Sequence, residues 1–185
     1  MSAIIYLIGY PGVGKLTIAR ALAAMTGARL VDNHLVNNVA LSLLPDPGEV
    51  SDRVWEEIRQ IRDAALRIIA WHADPGQSFI LTNVMLEAPD DRALLAQVEL
   101  TAMRRGSVFV PVVLDCAVEE NMARLTAPGR AENLKETDRE TALHRRRSEP
   151  LLSFAHANRL DLDVTDLSPE AAAGRIVAHM EGLHP

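Results

Sequence analysis

Apolar residues along this chain arrive in two rhythms that alternate. Ala3 to Ile8 is a short, unbroken run rich in β-branched residues, which predicts a strand buried on both faces. From Lys15 to Met25 the apolar positions fall at helical spacing, with Gly27 just beyond as a stop. Arg29 to Val31 predicts a second short strand, and Asn33 to Leu44 a helix closed by Pro45, Pro47 and Gly48. Ser51 to His72 predicts a long amphipathic helix, because Val54, Ile58, Ile61, Ala65, Ile68 and Ile69 recur at helical spacing. Pro75 and Gly76 end it.

Further strands are expected over Ser78 to Thr82, Ser107 to Leu114 and Arg159 to Val164. Helices are expected over Pro89 to Arg105, Val118 to Leu125 and Asp138 to Glu149. A last helix opens at Ser168-Pro169-Glu170, with Ser168 as cap, and runs to about Leu183. Thr126 to Asp138 is polar and carries Pro128-Gly129, the pattern of an exposed flap. Strands alternating with helices predict an α/β domain whose parallel sheet is covered on both faces.

Composition narrows this picture. The 185 residues suit a single domain, and 48% hydrophobic residues are enough for a core. Aromatic residues are only 4%, which leaves no stripe for stacking nucleic-acid bases. The formal net charge of -6 also argues against a nucleic-acid partner. The single cysteine, Cys116, excludes an intrachain disulfide and suits a cytoplasmic protein; it reads as a small core residue. The N-terminal run is too short for a signal peptide, and no stretch approaches a transmembrane span, so no membrane partner is expected.

The chemistry enters between the first strand and the first helix. Gly9-Tyr10-Pro11-Gly12-Val13-Gly14-Lys15 matches G-x-x-x-x-G-K in the strand-to-helix context this phosphate-binding motif requires. Glycines let successive backbone N–H groups turn inward onto phosphate oxygens. The helix N-terminus adds its dipole, and Lys15 adds a full charge for the β- and γ-phosphates. A nucleoside triphosphate, ATP above GTP in the absence of an N-K-x-D sequence, is the expected ligand. One position departs from the pattern. The motif normally continues with a Ser or Thr that holds Mg²⁺, and here Leu16 stands there, followed by Thr17. Thr17 lies about 100° further round the helix and is no plain substitute.

With these residues the chain resembles the small P-loop kinases of metabolites, the shikimate and gluconate kinase group. Three pieces carry the resemblance: the loop and helix GYPGVGKLTIARALA, Asp32 after the second strand, and Arg145 to Ile176 with its Pro-Leu pair, Asp-Val-Thr strand end and Ser-Pro-Glu helix start. The middle third of the chain is unmatched. The resemblance implies a three-layer fold with a five-stranded parallel sheet in the order 2-3-1-4-5. It further implies a helical acceptor-binding insert over 33–75 and a lid over 125–138. The implied activity is transfer of the γ-phosphoryl group of ATP, with Mg²⁺, to a hydroxyl of a small metabolite. Shikimate itself is a poor fit. Thr82-Asn83-Val84-Met85 replaces the family's glycine run, and the insert shows no clear carboxylate-clasping arginine.

The candidate residues follow. Gly9, Pro11, Gly12, Val13, Gly14, Lys15, Leu16 and Thr17 form the phosphate site. Asp32 either faces the acceptor hydroxyl and Mg²⁺ or caps the next helix. His34 either contacts substrate or faces solvent, and Asn33, Asn37 and Asn38 give this stretch a high amide density. Asn83 stands at a strand end where related proteins place a metal-supporting aspartate. Arg124 is expected near the nucleotide, and Arg130 either closes from the lid onto the moving phosphoryl group or is solvated. Of the run Arg145 to Arg147, Arg146 or Arg147 matches the family's substrate-facing arginine. Trp71 is expected in the core, whereas Trp55 is open. Because Leu16 and Asn83 weaken two metal positions, a nucleotide-binding regulator or a weak NTPase is the alternative reading.

Overall fold

In the computed structural model, which describes residues 2–44, 50–125 and 139–183, the predicted alternation becomes a three-layer α/β fold. Strands β1 (Ala3–Ile8), β2 (Arg29–Val31), β3 (Phe79–Asn83), β4 (Val108–Asp115) and β5 (Leu160–Asp163) form one parallel sheet in the order β2-β3-β1-β4-β5. Around it run α1 (Lys15–Thr26), α2 (Asn33–Leu41), α3 (Asp52–Trp71), α4 (Pro89–Arg105), α5 (Val118–Leu125), α6 (Arg139–Ser148) and α7 (Pro169–Gly182). β1 lies in the middle, with Ile8 in register with Asn83 on one side and Val113 on the other. All β1 side chains are buried, which explains the unbroken apolar run.

Alternation along β1 sorts the core into two layers. Ile5 and Leu7 face α1 and α7, where they pack with Ile18, Leu22, Ala172 and Ile176. Ile4, Tyr6 and Ile8 face the opposite way, onto Leu66 and Ile69 of α3 and Leu94, Leu95 and Val98 of α4. Each fully buried Leu or Ile contributes about 1.5–3 kcal/mol relative to exposure. The result is a rigid central strand, and the turn that follows it inherits that rigidity.

Helix boundaries follow local chemistry. Gly27 and Gly106 take left-handed φ of 70° and 65° after α1 and α4, where a side chain would be strained. Ser168 caps α7 by accepting from the Ala171 N–H at 3.1 Å. Two expectations need correction. α2 ends at Leu41 rather than Leu44. Trp71 is not a core residue; it is 62% exposed, and the Arg104 guanidinium sits 5.8 Å from its ring centroid. Of that helix only Ile58, Leu66 and Ile69 are buried.

Candidate active site

The phosphate loop is built between β1 and α1 and is braced on three sides. Its Gly9 N–H donates to the Asn83 carbonyl at 3.2 Å, fixing the exit from the sheet. A Cβ on Gly9 would lie 2.5 Å from the Leu114 carbonyl oxygen, so glycine is required for this close approach. Gly12 and Gly14 have φ of 86° and 104°, the left-handed values that turn the chain inward. A Cβ on Gly12 would also fall 2.6 Å from Asn121 Nδ2. The loop then enters α1, with the Ile18 N–H donating to the Gly14 carbonyl at 3.0 Å.

Lys15 is curled over its own loop. Its Nζ donates to the Gly9 carbonyl at 2.6 Å and the Tyr10 carbonyl at 2.9 Å. That holds the ammonium group against the carbonyls of the turn. Leu16 is half-buried and offers no hydroxyl, and Thr17 is exposed.

Asp32, at the end of β2, resolves one alternative. It precedes α2 but makes no side-chain cap hydrogen bond. Instead its Oδ1 accepts a short hydrogen bond from the Thr82 hydroxyl, whose oxygen accepts from the Asn33 N–H at 3.2 Å. Thr82 is adjacent to Asn83, and Asn83 holds Gly9. The carboxylate is thereby tied to the carboxyl end of β3, the strand that neighbours β1, on the side of the sheet where ligands gather in open α/β folds. Asn83 itself is committed inward. Its amide donates to the buried Tyr6 hydroxyl at 3.2 Å and accepts from the Val84 N–H at 2.9 Å. Burial pushes the Tyr6 phenol up, so it stays neutral.

Next to these strand ends a cavity of about 530 Å³ opens between α2, α3 and α4. Asn33, Asn37, Trp55, Arg62, Asp63, Asn83 and Gln97 line it. Arg62 projects from α3 and donates to Asn33 Oδ1 at 3.2 Å and Asn37 Oδ1 at 3.3 Å. Both partners are neutral amides, and the guanidinium charge acts on the Asp91 carboxylate in the same cavity, which Glu56, Asp63 and Asp90 also line. The segment between β2 and β3 thus brings one arginine, Arg62, into the lining of the cavity. Arg59, by contrast, is paired with Glu56 and Asp90. The α4 wall, with Asp91, Leu94 and Gln97, was not foreseen at all. Asp91 is half-buried, and that burial raises its carboxyl above the usual range while the Leu86 N–H it accepts pulls the other way.

The arginines divide. Arg124 lies beside the loop: Nη1 donates to the Val13 carbonyl at 3.2 Å, and Nη2 to the Val164 and Thr165 carbonyls, each at 2.9 Å. Arg146 does not line this cavity and donates to Asp115, Cys116 and Asn121 beside the loop. Arg147 is exposed on α6, and His34 is half-buried at the start of α2. Arg130 and the rest of 126–138 lie outside the described residues. Asn121, 1% exposed, was missed by sequence reading, and a lone helical asparagine gives no signal of its role.

A family model for the AAA domain matches residues 5–145. The chain belongs to the AAA domain family. Solved structures add the overall likeness. The APS kinase of Mycobacterium tuberculosis, solved with AMPPNP and APS, superposes with a TM-score of 0.63 at 16% identity, covering 97% of this chain and 98% of that one. A gluconokinase from Sinorhizobium meliloti gives 0.62 at 12% identity, covering 98% and 93%. Shikimate kinase from Aquifex aeolicus gives 0.54 at 18% identity, covering 97% of each. No curated protein matches the sequence. This AAA domain therefore has the fold of the small-molecule P-loop kinases. Among the described residues, no helix is long and apolar enough to cross a membrane.

Proposed function

We propose that this AAA domain is an ATP-dependent phosphotransferase that moves the γ-phosphoryl group to a hydroxyl of a small metabolite. The single observation that carries the reading is the juxtaposition of a lysine-crowned phosphate loop with a carboxylate at the next strand end, beside a polar cavity. The loop amides and Lys15 hold the β- and γ-phosphates. Arg124, tied to Val13 and to the segment after β5, flanks the nucleotide. The acceptor lies in the cavity, where the Arg62 guanidinium and the amides of Asn33, Asn37 and Gln97 offer hydrogen bonds to a hydroxyl-rich molecule.

Asp32 faces the acceptor hydroxyl and takes its proton as the oxygen bonds to the γ-phosphorus. The bond from that phosphorus to the bridging oxygen breaks, and ADP leaves with the electron pair. Arg130 closes from the segment beyond α5 and balances charge on the phosphoryl group.

The donor set fits a Mg²⁺ carried by the nucleotide. Among the described residues no group of three or more His, Cys, Asp or Glu side chains is placed to hold a metal. Mg²⁺ commonly binds through one carboxylate, substrate phosphates and waters. Asp32 is the carboxylate that would reach it. When bound, the ion supplies charge neutralisation at the phosphate oxygens.

The test is an ADP-release screen with Mg-ATP across sugar acids, polyols, hydroxy-amino acids and nucleosides. Acceptor-dependent release from one class supports the reading; ATP binding without acceptor-dependent release in any class opposes it. Leu16 favours a second reading, a nucleotide-binding regulator. That protein would bind ATP equally well in chelator, whereas a kinase loses turnover there.

A further inference from the structure

We infer that Arg146 is a positioning residue for the phosphate loop, acting through the side-chain amide of Asn121. The loop is anchored at both ends, by Asn83 and Leu114 at Gly9 and by α1 at Gly14. Its middle, Tyr10 to Gly12, has no strand or helix of its own. Besides Lys15 and Val13, which bond the Tyr10 carbonyl, two residues from α5 and α6 bear on that middle. Asn121 Nδ2 donates to the Pro11 carbonyl at 2.8 Å and packs against Gly12. The Arg146 guanidinium covers the Tyr10 ring, 5.0 Å from its centroid, and the Tyr10 hydroxyl donates to the Glu149 carbonyl at 2.9 Å.

The two residues are linked by a polarity argument. An asparagine amide can present either oxygen or NH₂ to a neighbour, and only the oxygen accepts. Arginine has donors alone. Arg146 Nη1 donates to Asn121 Oδ1 at 3.3 Å, so the amide must turn its NH₂ toward Pro11. In the flipped state two oxygens would face each other at the Pro11 carbonyl, and the loop would be pushed off its curl. Arg146 is itself fixed, since Nη2 donates to Asp115 Oδ1 and to the Cys116 carbonyl, both at 2.6 Å, and its side chain is only 12% exposed. The order of action is therefore Asp115 and Cys116 to Arg146, Arg146 to Asn121, and Asn121 to the loop. Pro11 and Gly12 then hold the backbone that must converge on phosphate. This assignment depends on the loop alone and stands apart from the identity of any acceptor.

The experiment compares ATP affinity in the full chain and in Arg146→Lys, Arg146→Met, Asn121→Ala and the Arg146→Met/Asn121→Ala pair. Lysine keeps the charge beside Asp115 but lacks the planar fork that reaches Cys116 and Asn121 together. Arg146→Lys should stay folded, with its unfolding temperature near the native value, yet bind ATP about tenfold more weakly. The Asn121 side-chain NH₂ resonances, slow to exchange in the native chain, should become fast-exchanging in that variant. The double variant should lose clearly less than the product of the two single losses, because the Arg146 to Asn121 link is shared and only the Tyr10 contact is Arg146's own. Native ATP affinity in Arg146→Lys and Arg146→Met, or losses that multiply in the double variant, would overturn the assignment.

Discussion

The Thr82 hydroxyl donates to the Asp32 carboxylate across the ends of β3 and β2. The carboxylate makes no side-chain cap bond to the helix it precedes and is held instead to β3. Replacing Asp32 with Asn keeps a hydrogen-bond acceptor for Thr82 but removes the base. Acceptor-dependent turnover should fall by about 10²–10⁴-fold while ATP affinity changes by less than about threefold. Steady-state ADP release together with ATP titration checks both halves. Thr82→Val, which frees the carboxylate without removing it, should give a milder loss confined to kcat.

Gly12 is held by backbone angle and by space together. Alanine there would need a φ of 86° and would push into Asn121. Gly12→Ala should cost about 1–3 kcal/mol of stability and abolish ATP binding in the population that folds. Thermal unfolding with and without ATP separates the effects: the native chain gains stability with nucleotide, and the variant does not.

Leu16 occupies the position where a hydroxyl normally reaches Mg²⁺. If that absence limits the reaction, Leu16→Ser should raise turnover several-fold and lower the Mg²⁺ concentration giving half-maximal rate. A titration of ADP release against Mg²⁺ reads this directly. An unchanged Mg²⁺ profile would mean that phosphate, water and Asp32 already complete the shell.

Glu87 gives a pH prediction. Its carboxylate accepts from the Ser153 N–H at 2.8 Å and pairs with Arg92, and those bonds, in that order, hold its carboxyl below the ordinary range. A depressed folded pKa contributes stability above the unfolded value and loses it as pH falls through the folded one. Glu87→Gln should therefore lower the unfolding temperature slightly at neutral pH. The gap should close under acid conditions, where native Glu87 is protonated as well. Unfolding temperatures measured from neutral to acid pH check the sign.

Much of the frame was legible because its signals are local. The run from Ala3 to Ile8, the glycines at 9, 12 and 14, and the cap at Ser168 each encode their conformation within a few residues. The strand order came from the resemblance carried by the loop and the C-terminal segment. What could not be read depends on packing between distant segments. Asn121 meets Pro11 only because α5 crosses the loop. Arg62 faces the cavity because α3 turns one face onto α2 and α4. The place of Arg146 or Arg147 in the motif gave no hint that the fold seats α6 beside Tyr10 and directs the Arg146 guanidinium to Asp115 and Asn121. Trp71 shows the limit of periodicity. Its helix buries a narrow stripe, and the indole falls outside it.

The central claim is that the curled loop and Lys15 grip a triphosphate. Equilibrium titration of the purified chain with ATP, beside Lys15→Met, tests it most directly. The native chain should bind saturably and the variant at least about tenfold more weakly. Absence of saturable binding by the native chain, or equal affinity in the variant, would contradict it.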